Sequence, residues 1–210
     1  MDEAARGLLG VLLVREGDGG RRVGRIVEVE AYAGPEDRAS HARFGPRSRA
    51  AAMFGPPGIA YVYGVYGMHT CLNVVVGPAG RGAAVLLRGI EPLEGVVRMR
   101  AGRLARAVAS RRVAAADPAA EAARIARLPA ERLAAGPANL AAAFGVDRGD
   151  DGCDLLDPAG PLRLEADGIG APRLEIRATA RIGVAYAGPG WADRPWRFVA
   201  SRPLAPSPQA

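Results

Sequence analysis

At 210 residues, of which 49% are apolar, the chain is long enough for one domain with a real core, and roughly two-thirds to three-quarters of its unfolded surface could be buried. Two widely spaced cysteines, Cys71 and Cys153, match no metal-ligand spacing, and two histidines add too little for a zinc or iron–sulfur centre, so no metal or other cofactor is expected. The formal net charge of +6 rests on arginine alone: all 28 basic residues are arginine, which excludes a lysine Schiff base and leaves planar forks suited to phosphate.

The N-terminus carries a short apolar run, Gly7 to Val14, behind Asp2 and Glu3, where a signal peptide would carry positive charge. No stretch reaches transmembrane length, so a soluble cytoplasmic protein with no membrane partner is expected.

"RRVGRIVEVEAYAG" predicts a strand with Ile26, Glu28, Glu30 and Tyr32 on one face and Val27, Val29 and Ala31 on the other. A glutamate facing inward among apolar strands is costly without a partner such as Arg88 or a task. Glu28 reads as a structural ion pair, although two carboxylates on one face also fit a carbohydrate hydrolase. From residue 38 to residue 90 the chain carries Arg38, Arg43, Arg47, Arg49, Arg81 and Arg88 and no acid. Basic segments bearing aromatic rings suit a polyanion with flat bases, such as a nucleic acid, and they fit a solvated face over ordinary core tyrosines as well.

"GIAYVYGVYGMHTCLNVVVG" predicts a hairpin: a strand from Ile59 to Val65, a break at Tyr66, Gly67 and Met68, then a strand to Val76. Tyr61 and Tyr63 share a strand face; Tyr63 can line a pocket, while Tyr61 reads as packing. Tyr66 falls out of phase at the tip, where a large ring is a liability unless it enters something, such as a gap between DNA bases. "GAAVLLRGIEPLEG" predicts a short strand ending at Arg88. From Glu91 to about Val146 helical spacing takes over, interrupted at Pro118, Pro129 and Pro137. Strands return at "GPLRLEA" and "RLEIRATARIGVAY", Trp191 and Trp196 read as core, and residues 201–210 read as a disordered tail. The whole predicts an α+β fold, a single mixed domain over residues 1–200 with a largely antiparallel sheet.

"RIVEVEAYAGPEDRASHA", "MFGPPG", "YVYGVYGMHTCLNVVV" and "VLLRGIEPLEG", in this order, resemble the alkyladenine (3-methyladenine) DNA glycosylase family, and "LAAGPANL" and "ARIGVAYAG" with "PWRF" extend the likeness from about Ala5 to Phe198. The resemblance implies a curved antiparallel sheet like that of the methionyl-tRNA formyltransferase C-terminal domain, with a protruding hairpin that enters DNA. It implies a monomer acting on double-stranded DNA containing damaged purines, flipping the base and hydrolysing its glycosidic bond without a cofactor.

Residue by residue, the resemblance makes Glu30 the general base and Arg88 the residue that helps hold its water, with the Ile182 main-chain carbonyl as a third contact. Tyr32, His41, Tyr63 and Asn73 enclose the base, and Tyr66 fills the gap that the base leaves. Arg43, Arg47, Arg49, Met68 and His69 are candidates for the DNA backbone. Where the family pattern carries a Thr-Pro-Arg run, this chain has "RSRAAAM", residues 47 to 53. A silent nucleic-acid-binding module stands as the alternative, and it would have no use for Glu30.

Overall fold

The computed structural model describes residues 1–17, 19–65, 69–109, 117–167 and 175–201. Tyr66, Gly67 and Met68 at the predicted hairpin tip, and the predicted tail from residue 202 onward, lie outside the described residues. Eight strands form one antiparallel sheet: β1 (Leu12–Arg15), β2 (Arg22–Tyr32), β3 (Ala60–Val65), β4 (His69–Val76), β5 (Ala83–Glu94), β6 (Leu162–Glu165), β7 (Glu175–Thr179) and β8 (Arg197–Ser201). The order is β3-β4-β5-β2-β1-β6, and β8 joins β2 beside Glu28–Glu30 and carries β7 on its other edge. The fold is mixed α/β around this large antiparallel sheet.

Period-two alternation decides which side chains meet. Ala60 and Val62 on β3, Leu72 and Val74 on β4, and Val85 and Leu87 on β5 enter the main core. There they join Met99, Leu140 and Phe144, from the helices α2 (Val96–Ala109) and α5 (Pro137–Phe144). Tyr61, Val75 and Ala84 alternate out of that set and join Ala42, Ala50 and Met53 in a second cluster, against which Tyr63 packs.

Two sequence readings need correction here. Ile26 does not share a face with Glu30; it is buried in the main core with Val29 and Ala31. Ile26 pairs with Ile90, Glu28 with Gly89 and Val29 with Leu87, so Val27 is an extra residue on β2 and Arg88 an extra residue on β5. These opposed bulges shift the phase of the strand between Ile26 and Glu28. For the same reason β5 does not end at Arg88 but continues to Glu94.

The prolines expected to divide the helical region do so by standing at helix starts, because a first-turn proline has no intrahelical N–H bond to lose. Pro118 opens α3 (Pro118–Arg127), where Asp117 accepts from the Ala119 and Ala120 amides, and Pro137 opens α5. Pro129 precedes the short α4 (Ala130–Leu133). At the N-terminus α1 (Asp2–Leu8) buries Ala5. Helices α2 and α5 approach closely at Gly102, where a Cβ would stand 2.4 Å from the Ala142 carbonyl oxygen. Gly102→Ala is therefore expected to lower the thermal midpoint, at a cost of about 1–3 kcal/mol from overpacking, with far-UV circular dichroism unchanged below the transition.

Candidate active site

The two glutamates of "VEVEAY" end in different environments. Glu28 is half-buried and accepts from Arg197 Nε at 2.7 Å and from Arg88 Nε at 2.9 Å. Burial pulls its carboxyl up, but the Arg197 and Arg88 hydrogen bonds outweigh this and hold it below the usual carboxylate range. This is the structural ion pair the sequence anticipated, and it leaves Glu28 unsuited to donate a proton to a glycoside.

Glu30 is fully buried, at 0% exposure. Its Oε1 accepts from the Ile182 amide at 2.7 Å and lies 3.3 Å from Arg88 Nη1, and its Oε2 accepts from the Tyr32 hydroxyl at 2.9 Å. Desolvation pushes its carboxyl up from the ordinary value, against the pull of Arg88, the Ile182 amide, Tyr32 and Arg181. The two neighbouring carboxyls are driven in opposite directions, Glu28 down by its two arginines and Glu30 up by desolvation. The Arg88 bulge makes this possible, since one guanidinium meets Glu28 through Nε and Glu30 through Nη1.

Beside this carboxylate, on the sheet face away from α2 and α5, a recess is lined by Tyr32, His41, Tyr61, Tyr63, Asn73 and Tyr186, with Ala39 and Met53. The rings of Tyr61 and Tyr63 stack with centroids 5.4 Å apart, and His41 meets Tyr63 edge-on at 4.6 Å. His41 is held in place where Ser40 caps a short 3₁₀ turn, and its Nδ1 is 2.9 Å from the Tyr61 hydroxyl. Burial, then the cations Arg49 and Arg43, hold its imidazole below the ordinary value, so it is neutral at pH 7. Burial drives the Tyr32 and Tyr63 hydroxyls well above their usual range, so both rings stay uncharged. A recess of neutral rings beside an anionic carboxylate suits a flat, cationic guest.

Asn73 is buried and donates from Nδ2 to the Tyr61 carbonyl at 2.9 Å. In the hairpin it pairs with Tyr61, and Cys71 pairs with Tyr63, so Asn73 stands across the hairpin from Tyr63 on the same face and in the same recess. Tyr61 does more than pack, since it forms part of the wall and orients His41. Ile182 meets Glu30 through its main-chain amide.

Tyr186, Ala39 and Met53 belong to the recess wall and were missed by sequence reasoning. Met53 joins the "RSRAAAM" run to "MFGPPG", and Tyr186 lies in "ARIGVAYAG", where no spacing assigns it a role. Tyr186, 61% exposed, donates to the Ala39 carbonyl at 2.9 Å, and the Arg43 guanidinium lies over the rings of Phe44 and Tyr186. Arg43, Arg47 and Arg49 are exposed. His69 is exposed at the start of β4 and lines a different cavity, shared with Arg103, Arg106 and Arg124 from the helices. Trp191 and Trp196 are half-buried rather than core, with Arg194 over both rings. Among the described residues no cluster of His, Cys, Asp or Glu could hold a metal ion, and no helix is long and apolar enough to cross a membrane.

The sequence model of the methylpurine-DNA glycosylase family matches residues 1–203 of this chain. A relative from Anaeromyxobacter dehalogenans (strain 2CP-C) is 44% identical over 196 residues, which cover 93% of this chain and 76% of the relative. One from Leifsonia xyli is 44% identical, covering 93% of this chain and 82% of the relative, and one from Koribacter versatilis is 40% identical, covering 92% and 82%. All three are provisionally named 3-methyladenine DNA glycosylase.

Proposed function

The chain belongs to the methylpurine-DNA glycosylase family, and from that premise we propose that it is a monofunctional enzyme that flips alkylated or deaminated purines out of duplex DNA and hydrolyses the glycosidic bond. Candidate bases are 3-methyladenine, 7-methylguanine, hypoxanthine and ethenoadenine. The observation that carries the reading is Glu30: a buried carboxyl pushed up by desolvation, paired with Arg88 and bonded through the Tyr32 hydroxyl to the wall of the aromatic recess.

A flipped base lies between the rings of Tyr32, His41 and Tyr63. A 3-methyladenine ring carries positive charge, so each aromatic face favours it by roughly 0.5–2 kcal/mol. The amide of Asn73, oriented through its bond to the Tyr61 carbonyl, meets the purine edge. For a cationic alkylated purine the C1′–N bond breaks with its electron pair passing to the base and neutralising its ring; a neutral base such as hypoxanthine leaves as an anion that takes its proton from solvent. Ionised Glu30 stabilises the oxocarbenium ion electrostatically and takes a proton from the water that adds to C1′, leaving an abasic site. With water as nucleophile and no lysine in the chain, no imine forms and the DNA strand stays intact.

Duplex oligonucleotides carrying one 3-methyladenine or hypoxanthine test the proposal. The native protein should release free base and leave alkali-labile sites, equally well with EDTA present. Strand cleavage without alkali, or full inhibition by chelator, would contradict it. Tyr66 is the proposed wedge, and holding a base out of a stable duplex is worth a few kcal/mol. Tyr66→Ala is therefore expected to slow excision from duplex by roughly tenfold or more, with a smaller loss on single strands. Equal losses on both substrates would remove the wedge role.

A further inference from the structure

Arg181 immediately precedes Ile182 and sends its side chain into the protein. Its guanidinium is fully buried and forks onto both oxygens of Asp37, Nη1 at 2.6 Å and Nη2 at 3.0 Å. The same nitrogens donate to the carbonyls of Ala31 at 2.9 Å and Trp191 at 3.1 Å, and the flat cation lies over the rings of Tyr32 and Trp196, 4.8 and 5.0 Å from their centroids. Asp37 in turn accepts from the Ala33 and Ala39 amides, which fixes the loop leading to His41. One buried cation thus ties together the end of β2, the 33–40 loop and the 191–196 segment.

Such a pair is expensive to bury, and a well-packed apolar replacement is often as stable or more so. Packing alone therefore does not explain it, whereas its neighbours suggest a task. The residue after Arg181 donates its N–H to Glu30, and the ring that Arg181 covers donates its hydroxyl to the same carboxylate. Resting on the reading of Glu30 as general base, we infer that the Arg181–Asp37 pair is a positioning unit: it sets the Ile182 N–H against Glu30 and backs Tyr32 on the wall of the base recess. A lysine could supply the charge, but not the planar fork that fixes two donors on one carboxylate.

Glu30 is faced by Tyr32 on its own strand, Tyr63 on β3, Cys71 on β4, Arg88 on β5, and Arg181 and Tyr186 from the C-terminal segment. Arg88 and Arg181 are the cations in that set, so losing Arg181 and the Ile182 bond both favour the protonated carboxyl. The test is single-turnover excision of hypoxanthine or 3-methyladenine across pH for the native protein, Arg181→Lys and Arg181→Met, with thermal melting and binding to abasic-site duplex in parallel.

Arg181→Met is expected to slow excision by about 10- to 100-fold, as misplacement of a catalytic group does, with its acid limb moved to higher pH and binding little changed. Arg181→Lys should keep the acid limb near its native position and still excise slowly; it carries the test alone if the Met variant does not fold. A folded variant with a lower melting temperature but native rate and acid limb would make the pair purely structural and overturn the inference. If the native protein releases no base from damaged DNA, the reading of the whole site fails; native activity with indifferent Arg181 variants sinks this inference alone.

Discussion

Glu30→Gln is expected to reduce base release by about 10²- to 10⁴-fold, the usual worth of a positioned general base, while the protein still binds lesion-bearing duplex. Gln preserves shape and still offers an oxygen to the Ile182 amide, but it cannot take a proton from water or balance an oxocarbenium charge. The loss should not come from unfolding. Because burial raises the folded carboxyl above its unfolded value, the fold holds that proton more tightly than the unfolded chain does. Ionised Glu30 therefore costs the fold stability as pH rises through the raised value. A permanently neutral Gln carries no such cost, so at neutral pH the variant should melt no lower than the native protein. Single-turnover excision beside a melting curve separates the two effects, and a Gln variant with native rate would remove Glu30 from the chemistry.

Arg88→Met is expected to damage both stability and catalysis. Arg88 sits on the bulge of β5 and is the cation shared by the two glutamates, with only 10% of its side chain exposed. Glu28 keeps Arg197, but Glu30 loses its nearest cation while remaining buried. Removing one partner of a buried pair costs about 3–5 kcal/mol, and here part of that cost can be met by protonating Glu30. The melting temperature should accordingly fall least at mildly acidic pH and most at neutral pH. Excision should drop with it, and its acid limb should move to higher pH. Urea melts at two pH values, with excision measured where the variant is folded, check both statements; stability loss independent of pH would mean that Glu30 does not feel Arg88.

Much of the recess wall was legible because a strand has period two. Tyr61, Tyr63 and Asn73 alternate correctly along their hairpin, and no bulge intervenes there. Glu28 and Arg88 were recognisable as an ion pair because a glutamate among apolar strand residues needs a cation. The phase of Ile26 was not legible, since neither Val27 nor Arg88 looks unlike an ordinary strand residue, and the bulges follow from pairing between strands about 60 residues apart. Arg181 and Asp37 are 144 residues apart, and nothing local distinguishes either from a solvated charge. The expectation of a catalytic role for Glu30 came from the family resemblance; its two-sided environment, with Arg88 on one oxygen and Tyr32 on the other, came only with the fold.

The pH dependence of single-turnover base release tests the central claim most directly, measured on duplex carrying one damaged purine with native protein and with Glu30→Gln. The native rate should rise with pH through a single ionisation above the ordinary glutamate value and then level off. Glu30→Gln should be slow and lack that ionisation. A native acid limb that persists unchanged in Glu30→Gln would show that another group activates the water and would contradict the account.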